Sequence, residues 1–186
     1  MPHSRPQNPS PDLCRPETTE DAMTTLGGIL RGMAFDGILT AGERSVLEQW
    51  IAGHRHLMQE HPFREIIPQV ALLADCKDGI LPPEDVRELL YLCRRFGRHR
   101  QLHDAAGKDL RELHGILYGI AADGVVTEIE LDGLGAWMRK HPHLHPHWPH
   151  AEVMDILHKK RQNQPFTPSE TAFLLCFCAD IAPLAS

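Results

Sequence analysis

Long apolar runs, paired C-x-x-C cysteines and the common catalytic signatures are all missing from this sequence of 186 residues. Without an apolar run of spanning length, the sequence contains no candidate transmembrane helix. It also lacks the G-x-S-x-G, G-x-x-x-x-G-K-[ST] and H-E-x-x-H motifs, so the hydrolases and metallopeptidases that carry those motifs are not indicated. We therefore expect a protein that is not an enzyme.

Positive charge is in deficit. Nineteen lysines and arginines against 25 aspartates and glutamates give a formal net charge of −6. Such a balance disfavours broad attraction to nucleic acid or to an anionic membrane. Two basic runs, at residues 94–100 and 159–161, follow predicted helix C-termini, where cations complement the helix dipole. We expect neither a membrane nor a nucleic acid as the partner, and we expect another protein instead.

The five cysteines are odd in number, and four of them lie inside apolar segments. This pattern is typical of buried thiols in a reducing compartment. The first 19 residues contain five prolines and no apolar core of the kind a signal peptide needs. We expect a flexible tail there and a cytoplasmic protein.

A repeat dominates what the sequence does contain. Residues 113–138, LHGILYGIAADGVVTEIELDGLGAWM, nearly copy residues 26–51, LGGILRGMAFDGILTAGERSVLEQWI, at an offset of 87 positions. The apolar residues follow helical spacing, and no segment alternates with the period of a strand. The sequence thus predicts an all-α fold of about eight helices, built as a tandem duplication of a four-helix half.

The boundaries follow from changes in composition and periodicity. We predict a tail at 1–19, a first helical repeat at 20–97, a linker at 98–107, a second helical repeat at 108–181 and a second tail at 182–186. A short apolar pair follows each Asp-Gly, as in Ile38-Leu39 and Ile80-Leu81. These pairs are too short for a sheet, so we expect at most a two-residue β-bridge in each half.

Two glycine pairs and two tryptophans are the candidate structural residues. The glycines stand one helical turn apart in each copy: Gly28 and Gly32, then Gly115 and Gly119. Because glycine lowers helix stability, its repetition at this spacing predicts the close approach of another helix. We expect Trp50 and Trp137 to fill the interface between the two halves.

The Asp-Gly loops are the candidate metal site. Their pattern D-G-x-[LV]-T-x-x-E overlays the second part of a calcium-binding helix–loop–helix, with Thr and Glu spaced as a helix-capping box. The earlier ligand positions hold no oxygen-bearing side chains: Gly32, Ala34, Gly119 and Ala121. A capping role therefore comes first, and a divalent metal ion held by several loops is the alternative. The acidic candidates are Asp36, Glu43, Asp78, Asp123 and Glu130.

Histidines crowd residues 141–150, the most tempting transition-metal tract in the chain. The first copy has His54 and His56 where the second has His141 and His143, so part of this tract belongs to the repeat. We expect an exposed loop with weak, adventitious metal affinity, and a functional metal site is the alternative.

The layout over residues 20–181 resembles the tellurite-resistance TerB-like family, whose members are helical, internally repeated and acidic at these helix junctions. The strings GIAADGVVTEIELDGLGAWMRKHPHL and CKDGILPPEDVRELL are also similar to a helical module that precedes BRCT domains in some bacterial proteins. The resemblance implies a cytoplasmic binding or scaffold module linked to bacterial stress, DNA repair or defence. A metal-binding sensor, or a metal-dependent enzyme that uses the acidic loop residues, is the alternative.

Overall fold

Seven α-helices make up most of the described chain in the computed structural model, which describes residues 18–76, 79–97, 105–145, 147, 150–161, 169 and 172. They are α1 (Thr19–Met33), α2 (Ala41–Gly53), α3 (Phe63–Ala74), α4 (Pro83–Phe96), α5 (Ala105–Ile120), α6 (Glu128–Lys140) and α7 (His150–Arg161). Short 3-10 turns occur at Arg55–Leu57 and Pro142–Leu144, and no strand occurs within these residues. The predicted all-α class is confirmed there. Of the eighth helix, predicted to begin at Thr167, only Ser169 and Ala172 are described, and both are helical.

One helix start differs from the predicted one. α5 begins at Ala105 rather than Asp109, so the last three residues of the predicted linker are helical. Alanine favours helix without adding to an apolar period, which is why periodicity placed the start too late. The third helix, predicted to open at Pro62 or Phe63, does begin at Phe63, and it continues through Pro68.

An isolated antiparallel bridge joins Ile38 to Ile80. Leu39 N donates to the Gly79 carbonyl at 2.7 Å, and Leu81 N donates to the Gly37 carbonyl at 3.0 Å. The bridge ties together the turns before α2 and α4, and it matches the short β-bridge expected for the first half. The segment expected to form its counterpart, residues 165–166, lies outside the described residues.

α1 and α5 pack in parallel as the most extensively joined pair of helices. Gly28 faces Gly115, and one turn later Gly32 faces Gly119. A Cβ on Gly28 would lie 2.3 Å from the Glu112 carbonyl oxygen, and a Cβ on Gly115 would lie 2.4 Å from the Thr25 carbonyl oxygen. The backbones of the two helices therefore touch, and any larger residue at these positions forces them apart.

Two ion pairs flank this glycine contact. The guanidinium of Arg111 on α5 lies 3.1 Å from Asp21 on α1, and both side chains are buried. Arg31 on α1 lies 2.8 Å from Glu112 on α5. Removing one partner of the buried Arg111–Asp21 pair would leave the other charge uncompensated, so this pair favours the register in which the glycines meet.

Two apolar cores lie on either side of the α1–α5 contact. The first is built from α1 to α4 and contains Trp50, and the second is built from α5 to α7 and contains Trp137. Each tryptophan belongs to the core of its own half. Neither lies at the glycine contact, where the two backbones touch, and the expectation that both fill the interface between the halves stays a prediction.

Within the described ranges, no helix combines the length and the apolar character that a membrane span requires.

Candidate functional site

The turns at Asp36-Gly37 and Asp123-Gly124 are built alike. Asp36 Oδ1 accepts a hydrogen bond from Ile38 N at 2.9 Å, and Asp123 Oδ1 accepts one from Val125 N at 2.8 Å. Gly37 and Gly124 have φ of 75° and 78°, a region that favours glycine. Each aspartate thus orders the backbone of its own turn with one carboxylate oxygen.

Each turn leads into a helix that begins with a capping box. The Thr40 hydroxyl accepts from Glu43 N at 3.2 Å, while Glu43 Oε2 accepts from Thr40 N at 2.7 Å. Thr127 and Glu130 repeat the arrangement at 3.2 Å and 2.6 Å. The glutamates are held in place by these bonds, and both are buried.

The two turns lie at one end of the molecule, because the parallel helices α1 and α5 both end there. A Cβ on Gly42 of α2 would lie 2.4 Å from the Ala122 carbonyl oxygen. The N-terminal end of α2 therefore packs directly against the Asp123-Gly124 turn. In return, a Cβ on Gly133 of α6 would lie 2.4 Å from the ring of Phe35. Each half therefore packs against the junction of the other.

This end, which we call the acidic pole, contains Asp36, Glu43, Asp123 and Glu130. Burial raises the pKa of Glu43 to about 7, and repulsion from Asp36 and Asp123 adds to that effect against the opposing Thr40 hydrogen bonds. Burial, Asp36 and Asp123 also raise the pKa of Glu130. The C-termini of α1 and α5 bring negative dipole ends to this place, while the N-termini of α2 and α6 bring positive ones, so the helix dipoles oppose each other there. The acidic character of the pole comes from its four carboxyl groups.

As a metal centre the acidic pole is incomplete. Its carboxylates each use one oxygen on a backbone amide, and within the described ranges no three His, Cys, Asp or Glu side chains are placed to hold a metal ion as they stand. Asp78, the fifth acidic candidate, lies outside the described residues. The structure brings together four of the five predicted ligands.

Exposed apolar side chains lie in or directly beside the turns and helix starts of the acidic pole. Four stand out, with exposed fractions of 53% for Ile38, 61% for Ile80, 59% for Val125 and 59% for Ile129. Ile38 and Ile80 are the bridged pair, and Val125 stands where Ile38 stands in the other copy. Their neighbours Leu39 and Leu81 are buried. Nothing in the order of residues indicates which member of each apolar pair faces outward.

A second structured region follows α2 and α6. His54 Nδ1 lies 2.7 Å from the Trp50 carbonyl oxygen and its ring stacks on that indole, with centroids 4.1 Å apart. His141 does the same with Trp137, at 2.9 Å and 3.9 Å. These histidines order the turn within each half.

Searches against family models, curated proteins and solved structures found no match for this chain.

Proposed function

We propose that the chain is a non-enzymatic, TerB-like helical module that binds another protein and acts as a scaffold. It would consist of two pseudo-symmetric four-helix halves and would serve a bacterial stress, DNA-repair or defence system in the cytoplasm. The observation that carries the proposal is the exposed apolar set of Ile38, Ile80, Val125 and Ile129 around the acidic pole. Exposed apolar groups that cluster beside charge are typical of interaction surfaces.

The acidic pole defines the chemistry of the partner. Apolar side chains of the partner would cover the isoleucines and Val125, and its lysines or arginines would face Asp36 and Asp123. Charge complementarity of this kind chiefly raises the association rate and selects the partner. The partner surface is therefore both apolar and basic.

Site-specific photo-crosslinking tests the proposal. A photo-reactive residue at position 38 or 125, in cells that express the protein, is expected to capture the same protein from both positions. The captured protein is then purified and titrated calorimetrically with the Ile38→Ser/Val125→Ser variant, which should bind roughly tenfold more weakly or worse.

Leu72 supplies the matched control. It is 72% exposed and lies on α3 rather than in an Asp-Gly turn. A Leu72→Ser variant should bind the partner as the unaltered protein does. Equal losses for the two variants, or no loss for the pole variant, would remove the acidic pole as the binding surface.

A second candidate function is metal sensing, or metal-dependent catalysis, at the acidic pole. Burial is the main cause of the raised pKa values of Glu43 and Glu130, and repulsion from Asp36 and Asp123 adds to it. That repulsion favours this candidate, because a bound cation would relieve it. Chelator-treated protein is titrated calorimetrically with Ca²⁺, Mg²⁺, Mn²⁺ and Zn²⁺. Binding that is unchanged in an Asp36→Ala/Asp123→Ala double variant would exclude these carboxylates as ligands.

A further inference from the structure

Two exposed large apolar side chains of the described residues do not belong to the set around the acidic pole. Leu72 on α3 is 72% exposed, and Tyr91 on α4 is 57% exposed. The two helices that carry them pack against each other. Exposed apolar groups that lie together with charged ones are typical of interaction surfaces, so the α3–α4 pair presents a second surface of this kind.

The exposed face of α4 is a stripe of four residues. Glu84, Glu88, Tyr91 and Arg95 follow one another at intervals of four, three and four residues, and all four are exposed. Residues with this spacing lie along one side of a helix. The spacing is the same from either end, but the charge is not, because the stripe begins with two carboxylates and ends with a guanidinium.

Two copies of this stripe are complementary when their helices run antiparallel. With a two-fold axis halfway along the stripe, Arg95 of one copy lies opposite Glu84 of the other, and Tyr91 lies opposite Glu88. A guanidinium pairs with a carboxylate, and a phenol donates to one. The guanidinium of Arg95 lies 5.8 Å from the centre of the Phe96 ring, and a stacked guanidinium keeps its N–H edges available for such a pair. The symmetry makes each contact twice.

A cavity beside Glu88 offers room for the tyrosine of the second copy. It lies between α3 and α4, has a volume of about 210 Å³, and has Leu72, Leu73 and Leu89 in its wall together with Asp85 and Glu88. An apolar cavity of roughly 150 Å³ is enough to hold benzene. The ring of Tyr91 therefore fits the cavity of the copy whose Glu88 it faces.

The helix dipole alone does not account for this face. Acidic residues near the start of a helix and basic residues near its end stabilise any helix, and α6 has the same arrangement with Glu128 and Arg139. Beyond its first turn, however, α6 has no exposed large apolar side chain. The exposed Tyr91 and the cavity beside its stripe are features of a binding face, not of helix stabilisation.

We propose that this face of α4 binds the same face of a second copy of the chain, as an antiparallel pair with two-fold symmetry. The Tyr91 ring of each copy enters the α3–α4 cavity of the other, and the Arg95–Glu84 pairs close the contact at both ends. The contact includes none of the four carboxyl groups of the acidic pole, and it does not rest on the function proposed for that site.

Sedimentation velocity of the full chain over a range of concentrations tests the contact, and a monomer–dimer equilibrium is expected. Arg95→Glu and Glu84→Arg each place like charges opposite one another at both ends of the stripe. Each variant alone should dimerise roughly tenfold more weakly or worse. Tyr91→Ser removes the group that fills the cavity and should cause a loss of similar size.

Mixing the two charge variants separates a broken contact from a misfolded chain. One chain then carries carboxylates at both positions and the other carries guanidinium groups at both, so a mixed dimer should form about as tightly as the dimer of the unaltered protein. Recovery of this kind requires that both variants are folded. A mixture that stays monomeric would overturn the antiparallel pairing of Glu84 with Arg95.

Arg139→Glu is the matched control, because it reverses a charge in the last turn of α6 as Arg95→Glu does in the last turn of α4. It should dimerise as the unaltered protein does. A full chain that stays monomeric, or equal losses in Arg139→Glu and Arg95→Glu, would overturn the proposal. So would a dimer that Ile38→Ser/Val125→Ser abolishes and Arg95→Glu leaves intact, since that result would place the contact at the acidic pole.

Discussion

After α2 and again after α6, the chain makes the same turn around a different interior. Leu57 N donates to the His54 carbonyl at 2.9 Å, and Leu144 N donates to the His141 carbonyl at 3.1 Å. Behind the first turn lies Phe63, and behind the second lies His150. The backbone hydrogen bonds are alike in the two halves, while the side chains they enclose have changed from apolar to polar.

The surroundings of the two tryptophans also differ, and those in the second half are again more polar. Trp137 Nε1 donates to Glu112 Oε1 at 3.4 Å, whereas Trp50 Nε1 has no partner among the described residues. At the offset of 87, Glu112 corresponds to Thr25, which is too short to reach the first indole in the same way. The core around Trp50 is stabilised by apolar contacts, and the core around Trp137 is stabilised by a polar contact in addition.

Removing either indole is expected to have the largest effect on stability. Trp50→Ala and Trp137→Ala should each lower the free energy of unfolding by about 3–5 kcal/mol, because each leaves a cavity in its own core. Urea unfolding measures both. A loss below about 1 kcal/mol in one half would show that its indole is not part of a close-packed core.

The glycine contact should respond alike from both sides. Gly28→Ala and Gly115→Ala each place a methyl within 2.3 Å or 2.4 Å of a carbonyl oxygen of the facing helix. Each should lower the unfolding free energy by about 1–3 kcal/mol or more, since neither backbone can yield without disturbing the ion pairs beside it.

Gly53→Ala is the control for the glycine variants. Gly53 ends α2, and a Cβ there meets nothing within 4 Å. Alanine should therefore be neutral or stabilising by up to about 1 kcal/mol. Clearly unequal losses of unfolding free energy in Gly28→Ala and Gly115→Ala would show that the two helices do not contribute equally to the contact.

Titration of Glu43 should make the free energy of unfolding depend on pH. Its folded pKa of about 7 lies above the ordinary 4.5, so its contribution is fully present below about pH 4.5 and is lost as the pH rises to about 7. Glu43→Gln keeps the capping bond and removes the titration. The unfolding free energy of the variant, relative to the unaltered protein, should rise by roughly 1–3 kcal/mol between those pH values.

His114 titrates in the same range but does not interfere with this comparison. Its pKa is lowered to about 4 by burial and by Arg111, so its contribution is lost as the pH falls from about 6.5. That contribution is common to both proteins and cancels in the difference. A difference that stays flat with pH would show that the Glu43 carboxyl titrates normally in the folded protein.

The smallest expected effect separates the two tryptophans. Trp137→Phe breaks the hydrogen bond to Glu112, while Trp50→Phe removes a buried donor that has no described partner. Trp137→Phe should therefore be less stable by about 1 kcal/mol than Trp50→Phe. The two are compared by urea unfolding, and the reverse order would contradict the polar role given to the second half.

Local signals predicted the helix junctions. Thr and Glu three residues apart define a capping box within one turn of chain, so Thr40 and Thr127 were identified as helix starts from the sequence alone. Glycine pairs one turn apart predicted a close helix approach, and the structure places α5 against α1 at those residues. In both cases the spacing of the residues along the chain is enough to predict the local geometry.

Features that depend on distant packing could not be read in this way. The first turn of α2 lies on the second junction because Gly42 leaves room there, but its counterpart Ile129 gives no such sign. The burial of His150 was equally hidden, because a proline- and histidine-rich segment has the composition of an exposed loop. Composition describes a residue type, whereas burial depends on the elements that surround it.

The parallel contact of α1 with α5 also sets an order in which the protein can fold. The residues that meet are 87 positions apart, and both helices must exist before the glycines can touch. On the ribosome, α1 to α4 emerge first and can form their own core. The glycine face of α1 stays uncovered until α5 has been synthesised. Closing so long a loop is costly in chain entropy, so docking of α5 is expected to be the late step in folding.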